Sequence, residues 1–128
     1  MEQAEIFIGS HWENKIIFDE LFEDQTEIPS NEKIYYFRDI FGSLSSKGML
    51  RILPHSMRYS ILHVDSDLTD NLIADLHRRS LDSSFKSMLN NDQVGAIVKY
   101  ITYTLESYPK SKFMFEIFNK ALTNWSAD

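Results

Sequence analysis

His63, Asp65 and Asp67 alternate closely enough to offer one imidazole nitrogen and two carboxylate oxygens to a divalent cation. The competing reading is a helix end followed by an acidic loop, with Ser66-Asp67-Leu68-Thr69 forming the N-cap of the next helix. Adding Asp70 invites comparison with a calcium loop starting at Asp65. Such a loop needs Gly at its sixth position and Glu at its twelfth, and this chain has Asp70 and Leu76 there. The four histidines, His11, His55, His63 and His77, never pair on one helical face around a Glu, so a metalloprotease arrangement is excluded. Gly42 to Gly48 imitates a phosphate loop, but Lys47 precedes the second glycine instead of following it. Ser43, Ser45 and Ser46 have no nucleophile elbow and no basic partner at a recognisable spacing. Acids side by side at Asp19, Glu20, Glu23 and Asp24 stay ionised if solvated and provide no tuned acid or base near pH 7. There is no cysteine, hence no thiol nucleophile, disulfide or Cys-type zinc site. The residues predict no enzyme, no cofactor and no bound metal.

What the chain does show is sorted charge. Residues 1 to 32 hold nine carboxylates against Lys15, a net −8, whereas residues 33 to 63 carry Lys33, Arg38, Lys47, Arg51 and Arg58 against Asp39, a net +4. The remainder is mildly acidic, and the whole chain carries −6. Asymmetry of this kind speaks to partners rather than to fold. A nucleic-acid module is one reading of the basic stretch, with Tyr35, Tyr36 and Tyr59 available to stack on bases. The overall negative charge opposes it, so direct nucleic-acid binding is not expected.

The elements that must position these residues are helices. Only 4 Gly and 3 Pro punctuate 128 residues, too few for many short strands joined by tight turns. The size suits one domain over residues 1 to 128 with a continuous core. The sequence predicts a mainly α, compact bundle of about six to eight helices, with short strands possible near 34–40 and 58–64.

A capping box at Ser10 to Glu13 opens a helix over 11 to 24, in which Ile17, Phe18, Leu21 and Phe22 form an apolar stripe. Asp19, Glu20, Glu23 and Asp24 then point to water near the helix C-terminus, where acids oppose the macrodipole. Helix stability does not explain them. Residues 27 to 31 read as a loop around Pro29. A short helix over 47 to 53 is expected to stop at Pro54, which would open the next helix with Met57, Ile61 and Val64 inward.

Leu68, Leu72 and Leu76 mark another helix, and Phe85, Met88 and Leu89 a single turn. Asn90-Asn91 caps a helix over about 92 to 107 with Val94, Ile97, Ile101 and Leu105 inward, ended by Pro109. A last helix over about 110 to 124 carries Phe113, Ile117 and Ala121 beside Met114, Phe118, Leu122 and Trp125. No run approaches the roughly 20 apolar residues that span a bilayer, and no secretory signal pattern opens the chain. A cytoplasmic protein that does not engage membranes is expected.

Ile40-Phe41-Gly42-Ser43-Leu44, the run Met49-Leu50-Arg51-Ile52-Leu53-Pro54-His55-Ser56-Met57-Arg58-Tyr59, and Asp92-Gln93-Val94-Gly95-Ala96-Ile97-Val98-Lys99-Tyr100-Ile101 together resemble a family of small, uncharacterised bacterial helical proteins. In that family a Phe-containing loop precedes a Leu-Pro helix. The resemblance covers residues 36 to 104 and departs at Arg51-Ile52, where aromatic residues belong. It implies a helical bacterial domain and transfers no activity. In size, acidity and lack of cysteine the chain is also similar to immunity proteins that neutralise nuclease toxins, including those of contact-dependent inhibition systems.

Carboxylates on a rigid helix can occupy the phosphate subsites of a basic nuclease, and complementary charge speeds encounter. The expected function is therefore that of a stoichiometric inhibitor of a basic toxin. Asp19, Glu20, Glu23 and Asp24 form the first expected contact surface, Asp65, Asp67 and Asp70 the second, and Trp12 or a tyrosine the apolar anchor. A helical adaptor with a neutral or apolar interface is the alternative.

Overall fold

Six helices follow one another in the computed structural model, which describes residues 31–107 and 112–127: α1 (Asn31–Tyr35), α2 (Ser46–Leu62), α3 (Asp67–Ser80), α4 (Ser83–Ser87), α5 (Asn91–Ser107) and α6 (Lys112–Ser126). Two 3-10 turns, Tyr36–Asp39 and Phe41–Ser43, join α1 to α2, and no strand occurs among the described residues. The fold is mainly α, as the scarcity of turn residues implies. The capping box at Ser10, the helix expected over 11 to 24, the Pro29 loop and Pro109 lie outside the described residues.

Leu68, Leu72 and Leu76 are fully buried at their i,i+4 spacing, and Ile73 joins them, which makes α3 the central element. Its most extensive partner is α6, and α5 packs against α6 in turn. Trp125 fixes the α3–α6 contact. The indole is buried, meets Phe85 edge-on at 6.2 Å, and donates from Nε1 to the Leu76 carbonyl at 2.8 Å. The α5 cap is reciprocal: Asn90 Oδ1 accepts from the Gln93 amide at 2.8 Å while Gln93 Oε1 accepts from the Asn90 amide at 2.9 Å.

The two segments whose periodicity allowed strands are helical. Residues 34–40 are the end of α1 and a 3-10 turn, and 58–62 complete α2. Pro54 also departs from expectation, since it sits inside α2 and opens no new helix. Its missing N–H leaves the Leu50 carbonyl without the usual i−4 donor, and an interior Pro costs roughly 3 kcal/mol. Burial offsets this. Met49, Ile52 and Leu53 before it, and Ser56 and Ser60 at or after the next turn, all face the core on one continuous line. That line also corrects the expected inner face of α2, because Met57 is only half-buried and Ile61 is 43% exposed.

Small hydroxyls replace hydrocarbon where α2 meets α3 and α5. Tyr100 donates to Ser60 Oγ at 2.6 Å, and Ser60 Oγ shares a 2.6 Å bond with Thr69 Oγ1, all three residues being buried. Phe113, read as part of the apolar stripe of α6, is 68% exposed, while Phe118, Ala121 and Trp125 form the buried line.

Candidate functional site

The α2–α3 turn collects chemistry that the linear sequence separates. α2 stops because His63 leaves helical geometry at φ −136°, ψ 60°, although its amide still donates to the Tyr59 carbonyl at 2.9 Å. The Ser66 amide closes onto the His63 carbonyl at 3.0 Å, and Ser66 Oγ caps α3 by accepting from the Leu68 amide at 3.2 Å. With every turn of backbone so tied, the side chains of residues 63–67 are presented from a fixed frame.

Tyr59 and His63, four residues apart, stack at 4.6 Å and 38°, and Tyr35 from α1 extends the row at 5.7 Å from Tyr59. Asp67 locks that row in place. Its Oδ1 accepts from the Tyr35 hydroxyl at 2.9 Å and its Oδ2 lies 3.3 Å from Arg38 Nε. Arg38 in turn lies over the Tyr35 ring, 4.1 Å from its centroid, within cation–π range. The hydrogen bond to Asp67 holds the Tyr35 phenol above its ordinary value of 10.0, with Arg38 pulling the other way. Asp65 differs from Asp67. It is exposed and makes no hydrogen bond or ion pair with any described residue.

Asp70 does not join this surface. It is half-buried on α3 and its charge bears on Tyr100, whose phenol is pushed far above 10.0, first by burial. The second expected surface thus divides into two exposed acids, Asp65 and Asp67, and one that faces inward. Trp12, Asp19, Glu20, Glu23 and Asp24 lie outside the described residues.

The basic stretch behaves in two ways. Arg38 is bound up with Asp67 and Asp39 and forms one wall of a shallow polar cleft of about 440 Å³ with Asn71 and Arg78. Charges there are matched, since Asp75 binds Arg78 at 2.8 Å. On α2, burial pushes the imidazole of His55 below 6.5, and the charges of Arg58 and Arg51 add to the shift. Among the described residues no three His, Cys, Asp or Glu side chains gather as a metal site.

Sequence reasoning missed the aromatic row and the ion pair within α3. The i,i+4 spacing of Tyr59 and His63 was legible, but nothing local signals that Tyr35 and Arg38 reach Asp67. Comparison with known proteins supplies no further anchor: no protein-family model, no curated protein and no solved structure matches the chain. The likeness to the Phe-loop/Leu-Pro family therefore rests on the quoted residues alone.

Proposed function

We propose that the chain is an immunity protein, a stoichiometric inhibitor that binds a basic nuclease toxin domain, and that the Tyr35–Tyr59–His63 row with Asp65 and Asp67 is part of its contact surface. The observation that carries this reading is the exposed carboxylate of Asp65, two residues along the chain from His63 in an aromatic row that Asp67 ties to Tyr35. Aromatic side chains give large contact area at little entropic cost, and they dominate binding energy when ringed by polar groups. The acids complement the lysines and arginines of a phosphate-binding cleft. Asp67 at the first turn of α3 is also favoured by the helix dipole, worth roughly 0.3–1 kcal/mol, whereas Asp65 precedes the cap and has no such explanation. Trp12, Asp19, Glu20, Glu23 and Asp24 form the larger surface by charge and belong to the same proposal.

Such an inhibitor needs no cofactor and works in the cytoplasm, where an imported nuclease meets its substrate. A contact-dependent toxin is the partner that best fits. The test is a titration, by the chain, of a basic nuclease toxin domain taken from a neighbouring reading frame. Nuclease activity should fall to zero at one equivalent of the chain, and Asp65→Lys combined with Tyr59→Ala should abolish that sharp endpoint while the circular dichroism stays helical. Full nuclease activity in excess chain, or substrate turnover by the chain itself, would overturn the reading.

A further inference from the structure

α2 and α5 touch only lightly, and a groove of about 530 Å³ runs between them. Met57, Ile61 and Leu62 line one wall, Ala96 and Tyr103 the other, and Tyr100, buried with its hydroxyl committed to Ser60, forms the floor. Ile61, Leu62 and Tyr103 are 43%, 60% and 40% exposed, so the groove offers hydrocarbon to whatever enters it. Small-molecule sites are built at volumes of about 300–1,000 Å³, from apolar walls and a few polar groups that orient the ligand.

Two polar heads belong to this lining. Lys99 and Tyr103 stand at i,i+4 on α5, so they share one face of the helix with roughly 5–6 Å between their Cβ atoms. Both are exposed, and neither makes a hydrogen bond or ion pair with any described residue. Among the described residues no carboxylate lines the groove, so the ammonium of Lys99 is not neutralised from within it. Arg58 also borders the groove but already has a partner in the fold. An ammonium and a phenol O–H one turn apart are both donors, and the two oxygens of one carboxylate accept from such a pair. A phosphate monoester would bring a second negative charge that Lys99 alone does not match.

We propose that this groove binds a small amphiphilic carboxylate, an aliphatic chain ending in one carboxyl group, with Lys99 and Tyr103 holding the head and Met57, Ile61, Leu62 and Ala96 the chain. The lining of α2 runs from Pro54 to Leu62, or roughly 12 Å at 1.5 Å per residue. Each bond of an extended chain advances about 1.2 Å, so about ten carbons match the length of the groove. None of the lining residues belongs to the Tyr35–Tyr59–His63 row. The site therefore stands apart from the inhibitory surface on the α2–α3 turn, and nuclease inhibition does not report on it.

The probe is decanoate, added to the full chain below its micellar concentration and followed by amide chemical shifts. Saturable shifts should gather at residues 57–62 and 96–103 and leave α4, none of whose residues line the groove, unmoved. Lys99→Met, at an exposed position, should weaken binding about tenfold and Tyr103→Phe about threefold, the loss of one charged and one neutral hydrogen bond. Decanol keeps the chain and lacks the charge, and should bind about tenfold more weakly than decanoate. Ile61→Asp should abolish binding while the circular dichroism stays helical. Absence of saturable binding, shifts confined to another face, equal affinity for decanol, or undiminished affinity in Lys99→Met overturns the proposal. So do shifts at the same residues that follow chain concentration without decanoate, which assign the groove to a second copy. Binding of an acidic amphipathic peptide there in place of decanoate assigns it to a protein partner and overturns the proposal equally.

Discussion

Asp75 and Arg79 form an ion pair at 2.6 Å, one turn apart on α3 and both buried, and Arg79 also donates to the Phe41 and Leu44 carbonyls at 2.9 Å each. The guanidinium thereby ties the 3-10 segment to the central helix. Removing one partner of a buried pair leaves an uncompensated charge, so Asp75→Ala is expected to cost about 3–5 kcal/mol in urea unfolding. Replacing both residues with hydrocarbon does not rescue stability here, because two buried carbonyls lose their donor at about 1–3 kcal/mol each. Tyr100 allows a pH test. Its phenol is raised in the fold by burial, so the folded chain keeps a proton that the unfolded chain releases above about 10. Stability contributed by this group is complete below that pH and declines above it. Tyr100→Phe should lower stability by about 1 kcal/mol at neutral pH and flatten the loss between pH 9 and about 11. An unchanged alkaline slope in the variant would place the effect elsewhere, with Tyr35 next in line.

The helices show why some local structure was legible and some was not. α3 and α5 were readable because the i,i+4 leucines and the Asn90–Gln93 cap are local signals that tertiary packing reinforces. α2 was not, because its proline carries a strong local meaning that the core overrides. The same override rotates the inner face: Ser56 and Ser60 are buried where Ile61 was expected, and Ser60 is held there by hydrogen bonds with Thr69 and Tyr100. A serine in a helix gives no sign of burial until its partners, Thr69 and Tyr100, are known. Of the candidate site, the acids at 65 and 67 were legible and the aromatic row was not, because Tyr35 and Asp67 are 32 residues apart in sequence. The override also has a measurable consequence. Pro54 is exposed, so Pro54→Ala restores the bond to the Leu50 carbonyl without disturbing the core. Its gain is bounded by the roughly 3 kcal/mol penalty of an interior proline, less the entropy an alanine returns to the unfolded chain. A rise of about 1–2 kcal/mol is expected by thermal unfolding, and a fall would mean that α2 needs a kink there.

Across the whole molecule, charge is sorted along the sequence, net −8 over residues 1 to 32 and net +4 over residues 33 to 63. No described helix is long and apolar enough to cross a membrane. Buried ions are matched within the fold, as Asp75 and Arg79 are, and contribute little to the outer field. Asp65 is exposed and unpaired among the described residues, and the whole chain carries −6, so the long-range potential is negative. Potentials of this kind act before contact, over a Debye length of about 8–10 Å at physiological salt, and they raise association rates rather than slow dissociation. If the chain is the inhibitor proposed above, its binding to a basic nuclease should approach about 10⁸ M⁻¹s⁻¹ at low salt and fall steeply as salt is added. Asp65→Lys should reduce the association rate and its salt slope while leaving dissociation within about threefold, as mutation of a rim charge does. Stopped-flow measurements over a salt series separate this from the adaptor reading. An apolar adaptor interface associates at about 10⁵–10⁶ M⁻¹s⁻¹ with little salt dependence, and the Asp65→Lys variant would then match the unmodified chain at every salt concentration.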